Sequence, residues 1–143
     1  MAEEVGRFLA RAGALLVCGG GGGVMAAAAR GASAEGGVSV GVLPGADRTH
    51  ANPYLTVSLP TGIGEMRNAL VVRGADALIA VAGEFGTLSE IAFALKTGVP
   101  VVGLGTWELA KQGRAVEAFV RASSPAQAVE EAHRLASEGP RSR

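Results

Sequence analysis

The chain has 143 residues, 48% hydrophobic and only 18% charged, a composition that excludes extensive disorder and supplies enough apolar surface for one buried core. Its 13 basic residues balance 13 acidic ones, and no stripe of Lys or Arg interleaves with aromatics, which points away from nucleic acid and toward a small-molecule ligand. No apolar run reaches the roughly 18 residues of a membrane span, and Glu3 and Glu4 stand where a leader would be basic, so a cytoplasmic location without membrane contact is expected.

Val5, Phe8, Leu9 and Ala12 recur at spacings of three and four, predicting a helix over Ala2 to Ala12 that stops at Gly13. Ala14 to Cys18 reads as a buried strand; its lone Cys18 has neither a disulfide partner nor a His/Cys cluster and is expected to be a small core residue, with no metal site. Five glycines, Gly19 to Gly23, lead into the helix former Val24-Met25-Ala26-Ala27-Ala28-Ala29, which runs out near Gly36-Gly37. Val38 to Leu43 is the second strand, followed by a polar loop through Asn52, and Tyr54 to Leu59 a short third one.

Met66 and Leu70 give Ile63 to Arg73 a helical spacing, and the apolar Asp76 to Val81 predicts a strand covered on both faces. Leu88, Ile91, Ala92 and Leu95 mark a helix from about Thr87 to Gly98, and Val99 to Leu104 follows as a fifth strand. Ala118 to Val120 is a sixth. Ser124, Pro125 and Gln127 form an N-cap, first-turn proline and capping-box signal for a last helix, after which the tail beyond Gly139 is expected to fray. His50 and His133 read as surface residues.

Strands alternating with helices predict one α/β domain over 1–143, a Rossmann-like parallel sheet flanked by helices on both faces, with ligands at the carboxyl ends of the strands. The chain opens on a helix where such folds place a strand, so the usual first strand is expected to be missing. Both glycine-rich turns fall at strand ends. At Gly20, Gly21, Gly22 and Gly23 the lack of Cβ atoms lets backbone N–H groups approach an anion beside a helix N-terminus. Val42-Leu43-Pro44 stands where a dinucleotide-binding fold carries an acidic residue, which disfavours an adenine-linked ribose and leaves a phosphate site, with an empty tight turn as the alternative. The second turn, Gly83-Glu84-Phe85-Gly86-Thr87, adds a hydroxyl and then Glu90; Thr87 is a phosphate ligand or an N-cap, and Thr87 with Glu90 could equally form a capping box.

Gly83-x-x-Gly86-Thr87-x-x-Glu90 resembles the PGGxGTxxE signature of the Lonely Guy family of cytokinin-activating phosphoribohydrolases. Gly19 to Gly23 with Val24-Met25 resembles that family's first glycine motif, and Arg67 stands 23 residues before Glu90, the separation expected for the family's Arg and Glu. The segment from Gly86 to Lys96, with Val99-Pro100-Val101-Val102, is similar to a sister branch that includes the molybdenum-cofactor carrier proteins. Ala82, Glu84 and Asn68 depart from the hydrolase motif, replacing its Pro, its second Gly and its Lys.

The resemblance implies a phosphate or nucleotide held by Gly20, Gly21, Gly22, Gly23, Met25, Gly83, Gly86 and Thr87. Glu90 and Arg67 would be the catalytic pair, facing one cavity, if an N-glycosidic bond of a nucleoside 5′-monophosphate is hydrolysed. The alternative is a non-catalytic carrier or sensor of a phosphorylated pterin or nucleotide. No cofactor is required on either reading, bound nucleotide or molybdopterin is allowed, and the resembling families imply a homodimer or higher homo-oligomer. Lysine decarboxylation, a label often attached to this superfamily, is rejected because neither Lys96 nor Lys111 stands in a site motif.

Overall fold

The computed structural model describes residues 1–139; the expected frayed tail lies outside them. The chain divides into two compact units, Met1–Ala75 and a second beginning at Asp76, each built on three parallel strands flanked by helices. The α/β class and the parallel pairing expected from the alternating elements are both present.

The first unit runs α1 (Ala2–Arg11), β1 (Leu16–Cys18), α2 (Val24–Ala34), β2 (Ser39–Leu43), β3 (Val57–Pro60), a 3-10 turn (Gly64–Met66) and α3 (Arg67–Arg73), with strands ordered β1-β2-β3. Among the described residues no strand precedes α1. Helix α1 turns Ala2, Val5 and Gly6 inward and leaves Ala12 exposed, a rotation from the expected face. The cause is a very close crossing with α2: a Cβ on Gly6 would collide with the carbonyl of Ala28, and one on Gly31 with the carbonyl of Glu3. Ion pairs Arg7–Glu3, Arg7–Glu35, Arg11–Glu35 and Arg30–Glu3 lace the same crossing. Several expected boundaries move. Strand β1 starts two residues late, β3 starts at Val57 because Tyr54 and Thr56 are tied to Asn52 and Ser39, and the helix expected from Ile63 is broken by left-handed Gly64 (φ 59) and restarts at Arg67.

The second unit runs β4 (Leu78–Val81), α4 (Phe85–Thr97), β5 (Val101–Leu104), β6 (Ala110–Lys111), β7 (Arg114–Ala115), β8 (Val120–Ala122) and α5 (Pro125–Ser137), with a parallel ladder ordered β4-β5-β8. Strand β5 is buried along its whole length, as a strand between two partners with covered faces must be. The sixth expected strand sits two residues later than its apolar run suggested, because Val120 pairs with Val102. Helix α4 buries Ile91, Ala94 and Thr97, while Ala92 is exposed, and left-handed Gly98 ends it. Helix α5 buries Ala128, Val129, Ala132 and Leu135 on one stripe against the ladder. Its cap forms as expected, Ser124 Oγ accepting from the Gln127 N–H at 3.1 Å, while the reciprocal bond runs from the Ser123 N–H to Gln127 Oε1.

Candidate functional site

In the first unit, β1 ends at buried Cys18 and delivers Gly19 and Gly20, both buried, beneath the N-terminus of α2. Gly20 has φ 76, a left-handed conformation that only glycine adopts without strain, and it lies against the Gly41 backbone of β2. The turn is held from outside by Asn52, whose backbone N–H donates to Gly20 O at 2.9 Å and whose Nδ2 donates to Gly21 O at 3.0 Å. Gly22 and Gly23 are exposed, and Gly23 is the N-cap of α2 and offers no side-chain cap, so the first N–H groups of the helix are left for solvent or a ligand. The Met25 thioether folds back over Gly19 and Gly21.

Arg67 completes this group. As the first residue of α3 it reaches the carboxyl end of the ladder, where Nη1 donates to Val42 O at 3.1 Å and the guanidinium lies so close to Gly19 that a Cβ there would collide with it. Its Nε is buried and has no hydrogen-bond partner. A buried cationic donor left unmet costs on the order of 1–3 kcal/mol. Arg67 was legible in the sequence through its spacing to Glu90; Asn52 was not singled out, because a loop asparagine carries no periodic signal.

In the second unit, β4 ends at Val81 and the chain turns through Ala82 (φ 47) and Gly83 (φ 98). A Cβ on Gly83 would collide with the Thr87 side chain, which covers it. Thr87 is therefore not the N-cap, and the capping box with Glu90 does not form: Glu84 is the N-cap, without a side-chain bond, and Thr87 and half-buried Glu90 are the third and sixth residues of α4. Gly86 faces open space. Sequence reading also missed the wall beside this turn. Thr106 Oγ1 donates to Ala82 O at 2.6 Å and Trp107 Nε1 to Glu84 O at 3.1 Å, so the loop after β5 grips the loop after β4. Trp107 lies 5.5 Å from the ring of Phe85, and Ala82, Gly83, Glu84, Gly105, Thr106 and Trp107 enclose an open cleft of about 340 Å³.

The first unit thus brings Gly19 to Gly23, Met25 and Arg67 together, and the second groups Gly83, Gly86, Thr87 and Glu90 at one turn. Among the described residues no group of three or more His, Cys, Asp or Glu is placed to hold a metal ion, and no helix is long and apolar enough to cross a membrane. A family model described as the SLOG cluster4 family matches residues 1–132. The chain belongs to this family. As a SLOG cluster4 member it bears out the resemblance seen in its glycine motifs. It is 43% identical over 104 residues, 73% of this chain and 68% of the relative, to an uncharacterized protein of Archaeoglobus fulgidus.

Two solved structures set this SLOG protein closer to one branch. The molybdenum cofactor binding protein of the phototrophic bacterium Rippkaea orientalis is 31% identical, with a TM-score of 0.84 over 94% of this chain and 85% of that one. The molybdenum cofactor carrier protein of Chlamydomonas reinhardtii is 32% identical, with a TM-score of 0.82 over 96% and 87%.

Proposed function

We propose that this chain is a non-catalytic carrier of a small phosphorylated ligand of the phosphorylated-pterin class, with the molybdenum cofactor as its candidate cargo. The likeness to cofactor-binding and carrier proteins over more than nine-tenths of the chain supports this most directly. The residues fit the group. Gly20 to Gly23 and the uncapped start of α2 offer backbone donors to a phosphate, and the Arg67 guanidinium carries a buried donor that an oxyanion would satisfy. Gly86, Thr87 and the equally uncapped start of α4 offer a second set.

The competing reading is hydrolysis of a nucleoside 5′-monophosphate by Glu90 and Arg67, and Ala82, Glu84 and Asn68 in place of the hydrolase motif's Pro, second Gly and Lys count against it. One assay separates the two. Incubated with a panel of purine monophosphates and, separately, with molybdopterin under anaerobic conditions, the protein is expected to retain molybdopterin through gel filtration and to release no free base. Catalytic release of adenine or another base, abolished by Glu90→Gln, would replace the carrier by the hydrolase. A protein that neither retains molybdopterin nor releases base would overturn both.

A further inference from the structure

The cleft of the second unit contains features that a phosphate site does not require. Phe85 is 75% exposed, far more than an aromatic residue at a helix start needs to be, and it leans on Trp107 with the rings inclined at 41°. Trp107 is half-buried and fixed, since Nε1 is bonded to Glu84 O and its own carbonyl accepts from Arg121 Nη1 at 3.4 Å. Trp107 lines a cleft of about 340 Å³ while Phe85 rests against it from outside that lining, so the tryptophan provides a stacking surface whose ordering cost is already met in the free protein. At the same cleft Ala82 holds a left-handed backbone (φ 47) that a residue with a Cβ rarely adopts, and its carbonyl is clamped by Thr106. Strain of this kind concentrates where a surface must be shaped for a ligand.

Glu84 lines this cleft, is exposed, and spends its backbone carbonyl, not its carboxylate, on Trp107. A carboxylate beside a stacking surface selects a ring edge with two parallel N–H donors, which it accepts as a fork. The 2-amino-4-oxopyrimidine edge of pterins and guanine has two such donors; inosine keeps one, and adenine offers one donor beside an acceptor that the carboxylate repels. We propose that the cleft lined by Glu84 and Trp107 is a recognition site for a planar 2-amino-4-oxopyrimidine ring, with Trp107, backed by Phe85, supplying affinity and Glu84 the choice of ring. This deepens the pterin reading above but stands on residues separate from the Arg67 cradle.

Trp107 is the chain's single tryptophan, so its emission reports directly on the cleft. Phosphate-free compounds keep the test independent of the cradle, which inorganic phosphate and pterin phosphate probe separately by calorimetry. Guanosine, and 6-hydroxymethylpterin followed by calorimetry, are expected to bind saturably, guanosine quenching Trp107. Inosine and adenosine should bind about tenfold or more weakly, the value of a lost hydrogen bond to a charged group. Glu84→Gln, at an exposed position, should fold normally and lose that preference, while Phe85→Ala should weaken all rings alike. Absence of saturable binding by guanosine and pterin, equal affinity for adenosine, or an unchanged preference in Glu84→Gln would each overturn the assignment. Phosphate binding that survived such a failure would leave the carrier reading standing.

Discussion

Arg67 and Gly19 make the sharpest contrast between a structural and a ligand-binding role. The atoms nearest to a methyl group at Gly19 belong to the guanidinium of Arg67 and the Met25 thioether, parts of flexible side chains rather than backbone. Gly19→Ala should therefore leave the melting temperature nearly unchanged while displacing the guanidinium and weakening a phosphorylated pterin about tenfold, as should Arg67→Met. Gly20→Ala differs, because φ 76 and the abutting Gly41 backbone cannot yield; it should cost roughly 1–3 kcal/mol of stability, measured by chemical denaturation. The glycines were legible from their clustering at strand ends, whereas Arg67 and Met25 were singled out by the resemblance to the family's motifs. Asn52, Thr106 and Trp107 escaped notice because their work is to tie one loop to another, which only the folded chain brings into register.

At the scale of elements, the α1–α2 crossing depends on two glycines, Gly6 and Gly31, that no motif or periodicity in the sequence sets apart. Gly6→Ala or Gly31→Ala would each force a methyl group into the backbone of the facing helix, with an expected loss of roughly 3 kcal/mol, far more than the gain in helix propensity. A circular-dichroism melt in which either variant is as stable as the parent would show that the helices do not approach so closely. Helix α5 offers a milder case: Ser124→Ala removes an N-cap bond and should cost about 1 kcal/mol. Strand and helix types were largely legible because apolar runs bounded by glycine punctuate this chain. The β6–β7 hairpin was not, since its four strand residues are all exposed and lack alternation; only the left-handed pair Gln112 (φ 52) and Gly113 (φ 75) marks its turn.

For the whole molecule, acid should be the main electrostatic threat. Hydrogen bonds from Arg30 and Arg7 hold the Glu3 carboxyl below the usual carboxylate range, and Arg11 does the same for Glu35. A carboxyl depressed in the folded state stabilises above its unfolded pKa and loses that contribution as pH falls. The melting temperature is thus expected to be flat near neutrality and to decline from about pH 5 downward; the double variant Glu3→Gln, Glu35→Gln should show a shallower decline, and added salt should mimic it in part. Self-association, implied by the related families, is consistent with exposed Ile63, Met66 and Leu70 around the start of α3, and light scattering is expected to return a mass above the 14.3 kDa of one chain.

Cys18 gives the glycine cradle a clock. It is the chain's sole cysteine, buried on the last residue of β1 and covalently next to Gly19. A thiol reagent can reach it only during excursions that part the strand end from its surroundings, so under native conditions the modification rate counts those excursions instead of averaging over the whole fold. A cargo seated on the glycines must suppress the same excursions, and the factor by which labelling slows at saturation measures how tightly the bound ligand latches the cradle shut.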